Sequence, residues 1–394
     1  MSGRHDQPWD LAVVGGGPAG AAAALAALAA APRLRVLLLD RDDFPRDKSC
    51  GDGIAPHALD VLTGLGAADV VTGWAPVGRL ELSRGGHRVA RRLARPVWVI
   101  PRTVFDARLV DRAVAAGATL AHHRVRELRQ RAGAVEIDDA FAARVVIGAD
   151  GAHSVVRRSL GRRTGGLRAL AIRGYAPTPP FRRGRQVIRY GDRSQPSYAW
   201  AFDRGDGLSN VGYGELAGQP GAPLTRTLLL DQLARLIPGA ETGTDWRAHP
   251  LPLSGWGWGA GQPDGPLLLA GDAAGLVNPM TGEGIYYAVA TGALAGRSAV
   301  EALAEGRPTT AGSRHRAAVR RLLDRHLRHT WVAARLSRHP RVVEAGISGA
   351  ARSQEVFDAL VELGLGDGRI TPRLAAGLGH GVVAGPARRL QEVG

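Results

Sequence analysis

The chain has 394 residues and a formal net charge of +15, one cysteine, and a single lysine, Lys48, among 51 basic residues. That length holds two or three domains, and one cysteine excludes an internal disulfide framework and suits a reducing cytoplasm. The arginines are not interleaved with aromatics, so they read as a solvated surface and not as a nucleic-acid groove; peripheral contact with a membrane and the oligomeric state stay open.

Asp10–Val14 reads as a short buried strand that runs into Gly15-Gly16-Gly17-Pro18-Ala19-Gly20, and an Ala-rich helix follows to about Ala31. Residues 11–31 carry no charge, but the Gly-Gly-Gly-Pro run argues against a signal peptide or a membrane span. A second strand, Arg35–Leu39, ends on Asp40, about 20 residues past the last glycine, as a dinucleotide-binding βαβ unit requires. Gly15 allows the tight turn, Gly17 lets the backbone approach a pyrophosphate, and Gly20 lets the helix pack on the strand. Free N–H groups at the helix start favour the phosphates, and Asp40 accepts from ribose hydroxyls.

The polar loop Phe44–Gly53 holds both Lys48 and Cys50. Where composition has favoured arginine elsewhere, one retained lysine points to a place for a compact ammonium, which a planar guanidinium does not replace. A helix is expected over Pro56–Leu65, antiparallel strands over 77–100, and a helix over Thr103–Ala116. Short strands follow near 121–129 and 134–138. Val145–Ala149 is a buried strand delivering Asp150-Gly151-Ala152-His153-Ser154, with Arg157 beyond, into a helix. Strands are expected at Arg168–Gly174, Gln186–Tyr190, Ser197–Phe202 and Leu208–Tyr213, a helix over 223–236 and an extended stretch over 246–252. Leu267–Ala270 runs into Gly271-Asp272, a long helix follows Gly284 to about Leu303, and 310–390 is helical with Arg-rich faces.

Three separated motifs point to a flavin: the βαβ unit, the Asp150 turn, and Ala270-Gly271-Asp272-Ala273-Ala274 followed by Asn278-Pro279-Met280-Thr281-Gly282-Glu283-Gly284. An aspartate at a strand end holds ribitol hydroxyls. N–H groups at the next helix start face the flavin edge where negative charge develops on reduction.

With these motifs the chain resembles the FAD-dependent para-hydroxybenzoate-hydroxylase-like superfamily and, within it, the geranylgeranyl reductase family. Pro45-Arg46-Asp47-Lys48-Ser49-Cys50-Gly51 resembles that family's P-x-x-K-x-C-G signature. Tyr198-Ala199-Trp200-Ala201-Phe202-Asp203, with Gly212-Tyr213-Gly214, resembles its YxWxFP…GxG motif, Asp203 replacing the usual proline and adding charge to the substrate cavity. The resemblance extends to Leu363-Gly364-Leu365-Gly366-Asp367-Gly368 in the tail. It implies an α/β fold: a Rossmann-like FAD-binding domain (1–75, 101–165, 263–330), an inserted antiparallel β-sheet substrate domain (76–100, 166–262) and a C-terminal helical region (331–394).

The resemblance also implies the site. FAD is held by Gly15, Gly17, Pro18, Ala19 and Gly20, by Asp40 and Arg41, and by Cys50 and Gly51. Arg102, Val125 and Asp150 join them, followed by Gly271 and Asp272 and by Pro279, Gly282, Glu283, Gly284 and Ile285. Lys48, Cys50 and Gly51 are the catalytic candidates. Cys50 is either a proton donor or a pocket wall. Tyr198, Trp200, Phe202 and Tyr213 are expected against substrate, Tyr198 and Trp200 alternating on one strand face. Trp256 and Trp258 form a cavity lip or an exposed interfacial edge. No metal is expected.

The implied reaction saturates isolated C=C bonds in an apolar isoprenoid chain, hydride passing from reduced flavin to one carbon and a proton reaching the other. Positioning must supply much of the catalysis. NAD(P)H or a reduced electron-transfer protein is the donor, since the sequence holds one nucleotide-binding βαβ unit. The alternatives are an FAD-dependent monooxygenase and a non-catalytic flavin-bound protein on anionic membranes. The halogenase WxWxIP pattern is met only incompletely, by Trp98-Val99-Ile100-Pro101. The chain is expected in the cytoplasm, with a peripheral membrane position left open.

Overall fold

A computed structural model describes residues 7–162, 167–219 and 223–376. The N-terminal part runs β1 (Trp9–Val14), α1 (Pro18–Ala30), β2 (Val36–Asp40), β3 (Gly53–Ile54), α2 (Pro56–Gly64), β4 (Val77–Arg84), β5 (His87–Val99) and α3 (Arg102–Ala115). Next come β6 (Thr119–His122), β7 (Leu128–Arg131), β8 (Ala134–Ile137), β9 (Phe141–Gly148), α4 (Val155–Ser159), β10 (Arg168–Pro177), β11 (Arg185–Tyr190), β12 (Ser197–Asp203) and β13 (Leu208–Leu216). The chain continues through α5 (Arg226–Leu236), β14 (Thr244–Pro252), β15 (Leu267–Leu269), α6 (Ile285–Ala304), α7 (Ala311–Leu336), α8 (Pro340–Arg352) and α9 (Gln354–Leu365).

Two sheets organise these elements. In the first, β6-β2-β1-β9 run parallel, β15 lies parallel beside β9, and β8 and β7 continue antiparallel. Their register aligns Val14 with Leu39 and with Gly148, and Gly148 with Leu269. Four strands therefore end level, and the three motif loops leave one carboxyl edge together, where open parallel sheets bind ligands.

Helix α1 is buried nearly all round and so shows no apolar stripe. Its alanines let α6 approach closely: a Cβ on Gly292 or Gly296 would lie 2.0 and 2.2 Å from the Ala19 and Ala23 carbonyl oxygens. That contact ties the first motif to the third.

The second sheet has the order β14-β10-β13-β12-β11-β4-β5-β3. Period-2 alternation splits its residues. Val187, Ala199, Ala201, Val211 and Tyr213 pack under α5, while Ile188, Tyr190 and Phe202 face inward toward α8 and α9.

Several expectations are revised. The strand near 121–129 is two strands, because the Asp138 carboxylate, on a residue with φ +51°, accepts the N–H groups of Arg126 and Glu127 and holds that connector out of the ladder. The Cys50 loop contributes β3 to the second sheet, across the expected boundary at 75, and α7 runs unbroken through 330. Pro340, at the first turn of α8, separates it from α7. The part of the helical tail beyond 376 lies outside the described residues.

Candidate active site

The glycine loop divides by what a side chain would meet. A Cβ on Gly15 would lie 2.5 Å from the Ala149 carbonyl oxygen, and one on Gly20 would lie 1.8 Å from the Gly15 oxygen. On Gly17 it would meet only the ends of Arg46 and Arg102, at 3.5 and 3.7 Å. That space adjoins the N–H groups of Ala19 and Gly20 beyond Pro18 at the start of α1, with two guanidinium groups beside it. It fits a pyrophosphate. Asp40 accepts from the Gly16 N–H at 2.7 Å and from the Asp42 N–H at 3.0 Å, which fixes its carboxylate at the end of β2. Arg41 points to solvent and offers only its carbonyl, which pairs with His122. Val125 is buried in the first core, in the connector whose His123 N–H donates to the Asp40 carbonyl.

At the second motif, Asp150 Oδ2 accepts the Val155 N–H at 2.6 Å, while Oδ1 is buried without a partner. Desolvation raises the Asp150 pKa. An orphaned acceptor on the residue beside Gly15 also fits a hydroxyl-bearing cofactor. Arg157 donates to the carbonyls of Ala152 (2.6 Å) and Ala273 (2.7 Å), binding the second motif to the third.

In the third motif, Gly271 has φ +56° and Asp272 receives the Lys48 ammonium at 3.0 Å. Burial opposes charge on Asp272, but Lys48 holds its pKa below the usual range. Lys48 thus joins the cysteine loop to the flavin-side loop. Asn278 and Thr281 donate to the Gly364 carbonyl at 3.3 and 2.7 Å, so the end of α9 pins the loop that carries Pro279, Gly282, Glu283 and Gly284 ahead of Ile285. This accounts for the glycine-rich run at 363–368. Glu283 accepts the Tyr286 N–H at 2.9 Å, and burial lifts its pKa to about 7.

Between the two sheets lies a cavity of about 340 Å³. Lys48, Cys50, Gly51, Arg102, Asp272 and Glu283 line one end; Tyr198, Trp200 and Phe202 line its wall; Val343, Ile347 and Leu360 of α8 and α9 line the far end. Burial raises the Cys50 thiol pKa, against the pull of Arg102. Arg102, 4% exposed, is fixed by Asp106 at 2.6 Å.

Two expected positions are corrected by strand parity. Tyr213 is fully buried under α5 and donates to Glu215 at 2.8 Å, on the face away from the cavity. Asp203 shares that parity on β12. It accepts from Thr178 (3.2 Å), Gly184 (2.5 Å) and Gly205 (3.1 Å), and it adds no charge to the cavity wall. Trp256 and Trp258 part company: Trp256 is 53% exposed and Trp258 is buried, donating to Asp324.

Three residues escaped the sequence reading. Asp52, fully buried with φ +59°, accepts from Tyr175 Oη at 2.7 Å and from Asn210 Nδ2 at 2.8 Å, and burial lifts its pKa to about 6. Asn210 also donates to the Cys50 carbonyl and accepts from Trp200 Nε1, both at 2.8 Å. An acid between two glycines in a functional loop was the available signal for Asp52. Asn210 and Tyr175 become visible only once the strands are paired.

Comparison with known proteins agrees with this geometry. The FAD binding domain family model matches residues 9–186. The chain is 34% identical over 313 residues to a menaquinone reductase of Mycolicibacterium smegmatis, covering 73% of this chain and 75% of that protein. It is 33% identical over 333 residues to digeranylgeranylglycerophospholipid reductase 1 of Methanopyrus kandleri, covering 75% and 82%. To a geranylgeranyl diphosphate reductase of Rhodobacter capsulatus it is 32% identical over 330 residues, covering 76% and 77%.

Among solved structures, a geranylgeranyl bacteriochlorophyll reductase-like protein of Thermoplasma acidophilum superposes with a TM-score of 0.74 at 20% identity, over 90% of this chain and 96% of that one. The halogenase PltM superposes at 0.66 with 16% identity, covering 90% and 83%, so the fold alone is shared by other chemistries. The chain belongs to the geranylgeranyl reductase family and is an FAD-dependent reductase.

Proposed function

We propose that this protein saturates isolated C=C bonds in the polyprenyl chain of a quinone or lipid. The observation that carries the reading is the cavity. Charged groups of the cysteine and Asp272 loops line part of it, and apolar side chains of β4, β11, α8 and α9, among them Leu80, Leu82, Ile188, Val343, Ile347 and Leu360, line much of the rest. A chain lying in it would have one bond beside the cofactor and the rest buried against hydrocarbon. Such burial is worth about 0.8 kcal/mol per methylene. The names of the relatives, all reductases of isoprenoid compounds, support the same substrate class.

FAD, when bound, supplies the hydride. Gly15, Gly17, Gly20, Asp40, Arg102, Asp150 and Asp272 would hold it. Tyr198, Trp200 and Phe202 orient the alkene and exclude water, and Cys50 shapes the polar end. A nicotinamide nucleotide or a reduced electron-transfer protein recharges the cofactor. Trp256 packs edge-to-face with Trp331 at 5.5 Å, with Arg328 and Arg335 over the two rings, near Leu336, which is exposed and also lines the cavity. That mouth suits contact with an anionic membrane surface that carries the substrate.

The test is anaerobic reduction of the holoenzyme with menaquinone-4 present, followed by mass spectrometry. A gain of 2 hydrogens per bond that persists after the quinone ring is reoxidised in air supports the reading. An oxygenated product on admitting air, with a long-lived flavin adduct spectrum, replaces it with a monooxygenase.

A further inference from the structure

We propose that Asp52 is the acid that delivers the reduction's proton, recharged from solvent through Tyr175; this rests on the double-bond-reductase reading above. The thiol and carboxyl groups that line the cavity are Cys50, Asp52, Glu215, Asp272 and Glu283; Lys48 holds Asp272 in its charged form, and Arg193 and Tyr213 bond to Glu215. Glu283, whose pKa burial lifts to about 7, bonds to the Tyr286 N–H at the start of α6, a backbone group that carries no proton in from solvent. Cys50 is buried beside Arg102, whose charge opposes reprotonation of a thiolate.

Asp52 is set apart by a buried oxygen without a partner and by a bonded hydroxyl that leads outward. Its Oδ1 is buried with no partner while the residue lines the cavity, so that atom is costly as a bare carboxylate oxygen and less so once protonated. Its Oδ2 is held by Asn210 and by the Tyr175 hydroxyl.

The Tyr175 ring is partly exposed, with the Arg173 and Arg204 guanidinium groups 4.7 and 4.6 Å from its centroid. Its own pKa is raised by burial and by Asp52, so it passes protons by exchange and not by ionising. The groups that bear on Asp52 are Arg102 from α3, Arg173 and Tyr175 from β10, and Cys50 from its own loop. Burial outweighs the two arginines and the two hydrogen bonds, placing the carboxyl near pH 6.

The balance is as follows. The alkene gains a hydride on one carbon from reduced FAD and the Asp52 proton on the other. Its π bond breaks, two C–H bonds form, and FAD is left oxidised. The Asp52 carboxylate then takes a proton from the Tyr175 hydroxyl as water returns one to it.

The experiment uses FAD-loaded protein, reduced with dithionite, with menaquinone-4 as probe in H₂O and D₂O. Wild type places two solvent deuteriums per reduced bond, one through the dithionite-reduced flavin and one through Asp52, and its rate falls as pH rises above about 6. Asp52→Asn tolerates the left-handed backbone. It keeps bound FAD, lowers the rate roughly 10²–10⁴-fold and removes that pH limb. Tyr175→Phe leaves the first turnover at pH 5 within about threefold and slows later ones about tenfold or more.

An Asp52→Asn enzyme with the wild-type rate and pH limb overturns the proposal, as does a Tyr175→Phe enzyme that turns over normally. The titration is also read without substrate, as the component of the infrared carboxyl band that titrates between about pH 5 and pH 8 in the wild-type minus Asp52→Asn difference, from which the Glu283 band cancels. Its absence from wild type overturns the proposal. Its presence beside an unreduced probe overturns the reductase reading instead.

Discussion

On one side of the cavity the chain presents backbone, and on the other it presents side chains. The carboxyl edge of the first sheet is made of strand ends held level by register, closed by glycines whose hydrogens face carbonyl oxygens. The facing wall is the inner surface of β11, β12 and β13, where alternate residues carry the aromatic rings and the intervening ones pack under α5. A backbone site tolerates almost no side chain but says little about which small molecule occupies its far end. A side-chain wall tolerates exchange and sets the shape a substrate meets.

The sharpest way to break this contrast is to substitute two glycines three residues apart. Gly20→Val places carbon 1.8 Å from a carbonyl oxygen inside the βαβ turn, with no flexible neighbour to yield. It is expected to cost more than about 4 kcal/mol and yield no folded protein. Gly17→Val meets only arginine side-chain ends and sits at extended backbone, φ −73° and ψ −173°. It is expected to fold, with a melting temperature near that of FAD-free wild type, and to stay colourless when titrated with FAD. A yellow Gly17→Val protein would remove the pyrophosphate from that space.

Asp272 sits where the two kinds of wall meet, bonded to Lys48 from the cysteine loop. Loss of a charged acceptor for ribitol hydroxyls is worth about 1.5–3 kcal/mol. Asp272→Ala is therefore expected to weaken FAD roughly 10–100-fold in a fluorescence titration, with the fold intact.

The same contrast explains what the sequence made legible. The glycine loop, Asp40, Asp150 and Asp272 were readable because backbone approach to a phosphate and acids at strand ends impose residue types at fixed spacing. Tyr198, Trp200 and Phe202 were readable from alternation along one strand. Tyr213 and Asp203 were misplaced although parity decides both: Asp203 is odd-numbered on a strand whose even-numbered residues face the cavity. Asp52, Asn210 and Tyr175 meet across 158 and 123 residues of chain, and no local pattern announces a contact made by pairing distant strands.

Asp52 offers a test that needs no substrate. Its pKa rises from 3.8 to about 6 on folding, so the native state binds more protons than the unfolded chain between those values. Stability contributed by this group is present below pH 4 and declines as pH rises through 6. The span of about two units corresponds to an upper bound of about 3 kcal/mol. Asp52→Asn lacks this slope, so its stability relative to wild type should improve from pH 4 to pH 8, as read by denaturant unfolding. A constant difference would mean that Asp52 stays ionised in the fold.

The smallest effect is expected where the family pattern departs most visibly. Asp203 stands in place of proline, yet its carboxylate only gathers two backbone N–H groups and the Thr178 hydroxyl at the end of β12. Asp203→Ala should therefore lower stability by about 1–3 kcal/mol while leaving the pattern of reduced products unchanged. Trp200→Ala supplies the contrast, because it opens the wall itself and removes the Nε1 donor that steadies Asn210, the residue bonded to the Cys50 carbonyl. It should alter which bond of a multi-alkene probe is reduced. If Asp203→Ala shifted that pattern as well, parity would no longer separate wall from support on β12, and selection would have to be sought in the rigidity of the whole strand.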